Sequence, residues 1–302
     1  MNAFMRHATK SVDATEADNG QPLCRAADND TASLPRYARL PTNRCNIPAV
    51  ILGSLTFQSN PTALQLDGIA ELHADLFRRL ECIADRAARG VAFRDYLTVH
   101  FCLEQLEKAG LSSRSQQRAN ANWMRAIRGW SFDADGREGA ILKGWVESRF
   151  GLLPRFHGEA LRDFSGPAYL RYQEMRSAGL YGTNALESQL DLLYAYGQYE
   201  FARAARDGAE SAPVVELYRG INRLAEHEVL GGSGRRQVVL FNNLVSFTTS
   251  RERAGEFGDY ILTARVPTAK IFFSCDLLPD VLRGESEYLV IGGVYAVALD
   301  TF

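Results

Sequence analysis

Glu285 and Glu287 stand one residue apart at the head of an apolar run, LRGESEYLVIGG. Side chains at i and i+2 of an extended strand point to the same face, so both carboxylates look the same way if this run is a strand. A pair of acids on one face suits general acid–base chemistry, one orienting a group and the other taking its proton. Spelling alone does not separate such a pair from a solvated strand end, and the same pattern recurs at Glu226-His227-Glu228. Two other stretches add polar groups at strand ends. Arg219, followed by Gly220, closes the β-type run VVELYRGI, where its planar fork suits either a phosphate or a surface acid. The apolar run QVVLFNNLV leads into Ser246-Phe247-Thr248-Thr249-Ser250. Ser250 is placed to cap a helix beginning in RERAGEF, whereas Ser246 and Thr248, alternating with Phe247, remain available for a site.

The elements that position these groups divide the chain. Residues 1–35 are polar and aperiodic and are predicted to be a disordered tail. Residues 36–212 read as a mainly helical region. Within it AVILGSLTF is expected as a short strand or buried loop. Ile69, Leu72, Leu76, Leu80 and Ile83 form one apolar stripe. Helices are predicted over 92–109, closed by Gly110, and over 185–206. All three tryptophans fall in the Arg-rich stretch between those two helices and are expected in the core or at an interface. Residues 213–302 are rich in β-branched and aromatic runs (VVELYRGI, QVVLFNNLVSFTTS, DYILTARVP, KIFFSC, EYLVIGGVYAVAL) and are expected to form the catalytic β core, integrated with the helical region. Helices first and strands last predict an α+β fold, a helical N-terminal half packed on a split, mostly antiparallel β core.

Composition narrows the function. The chain has 302 residues, 46% hydrophobic and 23% charged, with a net charge of -2 that supplies no basic field for nucleic acid. Five cysteines never occur as C-x-x-C, which argues against a disulfide framework or a zinc site and suits a reducing, cytoplasmic setting. No apolar run approaches the ~20 residues of a membrane-spanning helix, and no export signal is visible. His73, His100, His157 and His227 lack metal-ligand spacing, the Asp133-Ala134-Asp135-Gly136 run lacks the remaining ligands of a calcium loop, and no metal is predicted. GGSGRR, residues 231–236, reads as a flexible turn.

Arginine on one strand, hydroxyl–aromatic–hydroxyl on a second and E-x-E on a later one form an ordered set. It resembles the R-S-E class of ADP-ribosyltransferases, in the arginine-modifying branch. The A-x-x-F-G segment at Ala254 to Gly258, with YILTARVP after it, is similar to the stretch that follows the serine motif in that class. From about Leu34 to Val297 the chain resembles the dinitrogenase reductase ADP-ribosyltransferases, in NRCNIPAVILGSLTFQ, RGWSFDADGREGAILKGWVESRFGLLPRFHG and LYRGIN above all.

That resemblance implies cleavage of the nicotinamide–ribose bond of NAD+ as substrate and transfer of ADP-ribose to an arginine of the nitrogenase iron protein. The outcome would be a reversible brake on nitrogenase, with a P-II-type signalling protein as regulator. It assigns Glu287 to the ribose hydroxyl and Glu285 to the acceptor guanidinium. Arg219, Gly220, Ser246 and Thr248 become the NAD-binding set, with Arg219 toward the pyrophosphate. Phe247 and Tyr288 are expected in the core. FSCDLLPDVLRG, with Leu277, Leu278 and Arg283, is either a target-reading loop or a plain connection, and Arg125 and Arg128 are candidates for docking the iron protein. Two rivals stay open, an arginine-specific transferase with another target and a non-catalytic NAD or adenine-nucleotide sensor; release of nicotinamide separates the sensor from the enzymes.

Overall fold

The computed structural model describes residues 32–104, 122–208, 213–278 and 287–301. Gly110, Arg283 and Glu285 lie outside the described residues, as do residues 1–31. The described residues contain eight strands: β1 (Arg155–Phe156), β2 (Glu159–Ala160), β3 (Val214–Ile221), β4 (Glu228–Ser233), β5 (Arg236–Thr248), β6 (Tyr260–Pro267), β7 (Ile271–Ser274) and β8 (Glu287–Thr301). The last six form one sheet in the order β4-β5-β3-β6-β8-β7, with β5 also paired to β8. Its pairings are all antiparallel. The fold is α+β, as the segregation of helical and strand-type sequence predicts.

β8 organises the sheet. It pairs with β5 from Thr248↔Glu287 to Arg236↔Ala298, with β7 along its first half and with β6 along its second. β3 pairs with β6 throughout and touches the end of β5 at Tyr218↔Thr248. Strands β3, β6, β8 and β5 therefore close a ring, which splits the sheet and buries both of its faces. Alternate residues go to different cores, as the two-residue period of a strand requires. Leu217, Phe241, Leu262, Val290 and Tyr295 fill the ring. Leu240, Leu244, Phe272, Leu289 and Ile291 face the helices.

One irregularity ties the layers together. Between Phe241↔Gly293 and Leu244↔Ile291 the register shifts, so Asn242 and Asn243 oppose Gly292 alone, the two-against-one pairing of a β-bulge. Glycine is required there, because a Cβ on Gly292 would lie 1.7 Å from the Asn242 carbonyl oxygen. The bulge turns the Asn243 amide toward the helical layer, where Nδ2 donates to the carbonyls of Lys143 (2.8 Å) and Leu152 (3.1 Å).

The helical layer centres on Arg137–Phe150, buried along nearly its whole length. Trp145 Nε1 and Arg149 Nε each donate to Asp191 Oδ1 at 2.7 Å, and Arg149 Nη2 donates to Asp191 Oδ2 at 2.8 Å. These bonds join the central helix to Leu186–Arg206, whose extent matches the predicted 185–206. The helix Trp123–Phe132 starts at an Asn122 cap and buries Trp123, Ala126, Ile127 and Trp130, an i, i+3, i+4, i+7 stripe. In the turn after it, Asp133 Oδ1 accepts from the Asp135 N–H, and the Asp135 carboxylate pairs with buried Lys143.

Several local expectations are corrected. AVILGSLTF folds as two short helices, Ala49–Leu52 and Leu55–Ser59, because Pro48 starts the first and the Ser54 hydroxyl caps the second. The stripe from Ile69 to Ile83 breaks at His73 into Ile69–Leu72 and Ala74–Glu81, leaving Leu72 70% exposed. His73 leaves the helical conformation and its Nδ1 lies 2.9 Å from the Tyr96 hydroxyl. The helix expected over 92–109 runs from Arg86 to His100, set by an Asp85 cap at its start and by Cys102 at φ 49 just past its end. In the GGSGRR stretch the structure places Gly231–Ser233 in β4 and Arg236 in β5, with the hairpin turn between them.

Candidate active site

At the end of the ring where β3, β5 and β8 lie side by side, Tyr218, Thr248 and Glu287 form one lateral row. The sheet register alone thus assembles the three separated motifs. A cleft of about 530 Å³ opens there, lined by Arg219, Ser246, Thr248 and Glu287 together with Trp130 and Ser131.

Glu287 is half-buried, and each of its carboxylate oxygens accepts a hydroxyl proton. Ser246 Oγ donates to Oε1 at 2.6 Å, and Ser131 Oγ donates to Oε2 at 2.7 Å. Ser246 stands diagonally across the β5–β8 ladder from Glu287, a spacing within side-chain reach. The Ser246 hydroxyl also accepts from Trp130 Nε1 at 2.8 Å, and its carbonyl accepts from Arg219 Nη1 at 2.8 Å. Arg219 Nε is buried and finds no acceptor among the described residues. Burial pulls the Arg219 guanidinium below its usual range, with Glu226 and Glu287 opposing that shift.

The other expected site residues have distinct places. Thr248 lines the cleft, but its Oγ1 accepts from the Ser250 N–H at 3.1 Å, so it holds the turn as well. Ser250 Oγ in turn accepts from Arg253 N at 3.0 Å and caps the helix Arg251–Gly255, as predicted. Gly220 lines the cleft where that helix crosses β3, and a Cβ on it would meet the Ala254 carbonyl oxygen at 1.9 Å. Phe247 and Tyr288 are buried in the ring core, Phe247 also edging the cleft. Leu277 and Leu278 are buried among the helices, Leu278 against Gly90 and Leu277 against Gly197, which removes them from any target-reading surface. Arg125 pairs with Glu138 at 3.4 Å. Among the described residues no cluster of three or more His, Cys, Asp or Glu is placed to hold a metal.

Trp130 and Ser131 are missed by motif reasoning. They lie on a helix remote from the strand motifs, and the only local sign of them is the burial stripe that picks out Trp130. Phe132 follows them at the cleft wall and is 91% exposed.

The His227 ring stands edge-on to Phe241 with centroids 4.9 Å apart. Burial first, and then the charges of Arg219 and Arg155, push its imidazole down to about 4. The unfolded chain takes that proton near pH ~6.5, so the folded state loses stability as pH falls from there toward 4. The loss from this one group reaches about 3 kcal/mol. His227→Gln is therefore expected to flatten the fall of the melting midpoint between pH 7 and pH 4.5; parallel curves for the two proteins would refute it.

A family model described as dinitrogenase reductase ADP-ribosyltransferase matches residues 42–299. The chain is 41% identical over 260 residues to NAD(+)--dinitrogen-reductase ADP-D-ribosyltransferase from Rhodospirillum rubrum, an alignment spanning 85% of this chain and 93% of that protein. No solved structure matches the chain.

Proposed function

The chain belongs to the dinitrogenase reductase ADP-ribosyltransferase family, and on that premise we propose that it moves ADP-ribose from NAD+ to an arginine of dinitrogenase reductase, the nitrogenase iron protein. One observation carries the reading at the level of residues. Glu287 is held through both oxygens in a cleft whose arginine keeps a buried N–H unspent. NAD+ fits that donor set, since an unpaired guanidinium N–H suits a pyrophosphate oxygen, and the cleft volume of about 530 Å³ is in the range of small-molecule pockets.

NAD+ supplies an N-glycosidic bond whose breaking builds positive charge on the ribose, and hydrogen bonds to the 2-hydroxyl tighten as that charge grows. Glu287 has lone pairs left on both oxygens after accepting from Ser131 and Ser246. It accepts from the ribose hydroxyl and stabilises the transition state more than the ground state. Ser246 aims Glu287, and Arg219 holds the pyrophosphate side. Thr248 and Gly220 shape the wall, Gly220 by leaving room for Ala254. Glu285 receives the second task. A guanidinium stays protonated and non-nucleophilic below pH ~12 until a base takes its proton as the new bond forms.

Residues of the helical half and of the sheet build one apolar cluster, which supports a single folding unit. No helix among the described residues is long and apolar enough to cross a membrane. Family membership also supports a cytoplasmic setting and control by a P-II-type protein.

The test is transfer of labelled ADP-ribose from NAD+ onto purified iron protein, with unrelated arginine-bearing proteins alongside. Label on the iron protein alone is expected. Label spread over all the proteins would keep the chemistry and overturn the target, and no label with no nicotinamide released would overturn both.

A further inference from the structure

Strand motifs do not account for the two residues of the helical half that hold Glu287 and Ser246. Trp130 and Ser131 belong to the last turn of the helix Trp123–Phe132. An indole N–H donates and cannot accept. When Trp130 Nε1 donates to Ser246 Oγ, it occupies a lone pair of that hydroxyl and leaves the single hydroxyl proton for Glu287 Oε1. Ser131 supplies the proton for Oε2. Two donors, carried on different elements and placed at opposite oxygens, fix both the position and the plane of the carboxylate.

Other features show that this end of the helix is built for the contact. A helical serine commonly bonds back to a carbonyl of the preceding turn, whereas Ser131 bonds outward to Glu287. The C-terminal end of a helix carries partial negative charge and by itself disfavours a nearby carboxylate, so side-chain donors must make the approach favourable. Trp130 is held in place, buried, with Lys143 Nζ 5.8 Å from its ring centroid and Lys143 paired to Asp135 in the next turn.

We propose that Trp130 and Ser131 are positioning residues for cleavage of the glycosidic bond, Ser131 by holding Glu287 directly and Trp130 by aiming the Ser246 proton. The inference rests on the role of Glu287 proposed above. It extends the site beyond the strand core to a helix that also lies at the rim of the cleft.

The experiment uses the full chain with Trp130→Phe, Ser131→Ala and Ser131→Thr, reading nicotinamide release from NAD+ and the melting midpoint of each variant. The loss of one hydrogen bond to a charged group corresponds to about tenfold or more. Ser131→Ala is expected to lower kcat by about that factor, and Trp130→Phe, which removes a bond to a neutral hydroxyl, by about twofold to tenfold. KM for NAD+ should stay within about twofold, since an aiming defect acts on the transition state. Ser131→Thr, which restores the hydroxyl, should recover most of the rate. Ser131 is exposed, so its variants keep the test decisive if Trp130→Phe lowers stability. Wild-type kcat in Ser131→Ala, a rise in KM alone, or a loss that threonine does not recover would overturn the proposal while leaving the transferase reading intact. A wild-type chain that releases no nicotinamide overturns both.

Discussion

Glu287→Gln is expected to lower both nicotinamide release and ADP-ribose transfer by about 10²–10³-fold while NAD+ still binds, the scale set by removing one electrostatic contact made in the transition state. Glutamine keeps the shape and one acceptor oxygen, but it replaces the second acceptor with an amide donor. Ser131 or Ser246 then faces an N–H where it now donates to an oxygen. The formal charge that opposes the developing ribose cation is lost as well. Binding should persist because Arg219, Gly220 and Thr248 are unchanged. Isothermal titration with NAD+ beside a turnover assay distinguishes the cases: an intact fold that no longer binds NAD+ would mean that Glu287 serves the ground state. Glu285→Gln in the same assays should spare part of the NAD+ hydrolysis and lose arginine transfer. Equal loss of both activities would argue against separate tasks for the two acids.

The second large effect is on stability. Asp191→Ala is expected to destabilise the fold by about 3–5 kcal/mol, as breaking one side of a buried ion pair does. Arg149, Asp191 and the Trp145 indole are all buried, and Asp191 accepts three hydrogen bonds from the other two residues. Removing the carboxylate leaves a guanidinium charge and an indole donor without their acceptor between the central helix and Leu186–Arg206. Glu187, 3.5 Å from Arg149 Nη1, offers only partial compensation because it is also engaged by Arg176 at 2.7 Å. Replacing both Asp191 and Arg149 with apolar residues of similar volume should recover much of the loss, since the desolvation cost of the pair then disappears. Urea unfolding of the single and double variants measures this. A single-variant loss under about 1 kcal/mol would show the pair to be as weakly coupled as surface ion pairs are.

The legibility of the site followed the range of the interactions. β-Branched and aromatic runs after Pro213 became strands close to their expected limits, because strand residues buried on both faces leave a dense local pattern. The Ser250 cap was readable for the same reason, since the hydroxyl and the N–H it accepts from are three residues apart. Local reasoning failed where a partner from elsewhere intervened. His73 breaks its helix in company with Tyr96, and AVILGSLTF becomes helical although its β-branched pair favours strand. Gly53, inside that stretch between its two helices, is needed at the sheet, where its carbonyl accepts from Val294 N at 2.8 Å. The Leu277–Leu278 pair sits between helices whose approach only the folded chain defines.

By itself the sequence determined the α+β class, the order of the arginine, serine and glutamate motifs, and the chemistry those residue types can perform. Each depends on residue type and on spacings of a few positions. Tertiary structure decided which groups surround Glu287. Ser131 and Glu287 are 156 positions apart, and Trp130 and Ser246 are 116 apart. No periodicity encodes such pairs. They meet because the bulge at Asn242 and Asn243 anchors the central helix to β5 and the buried stripe of Trp123–Phe132 sets that helix's end at the cleft, a geometry that exists only once both cores have closed.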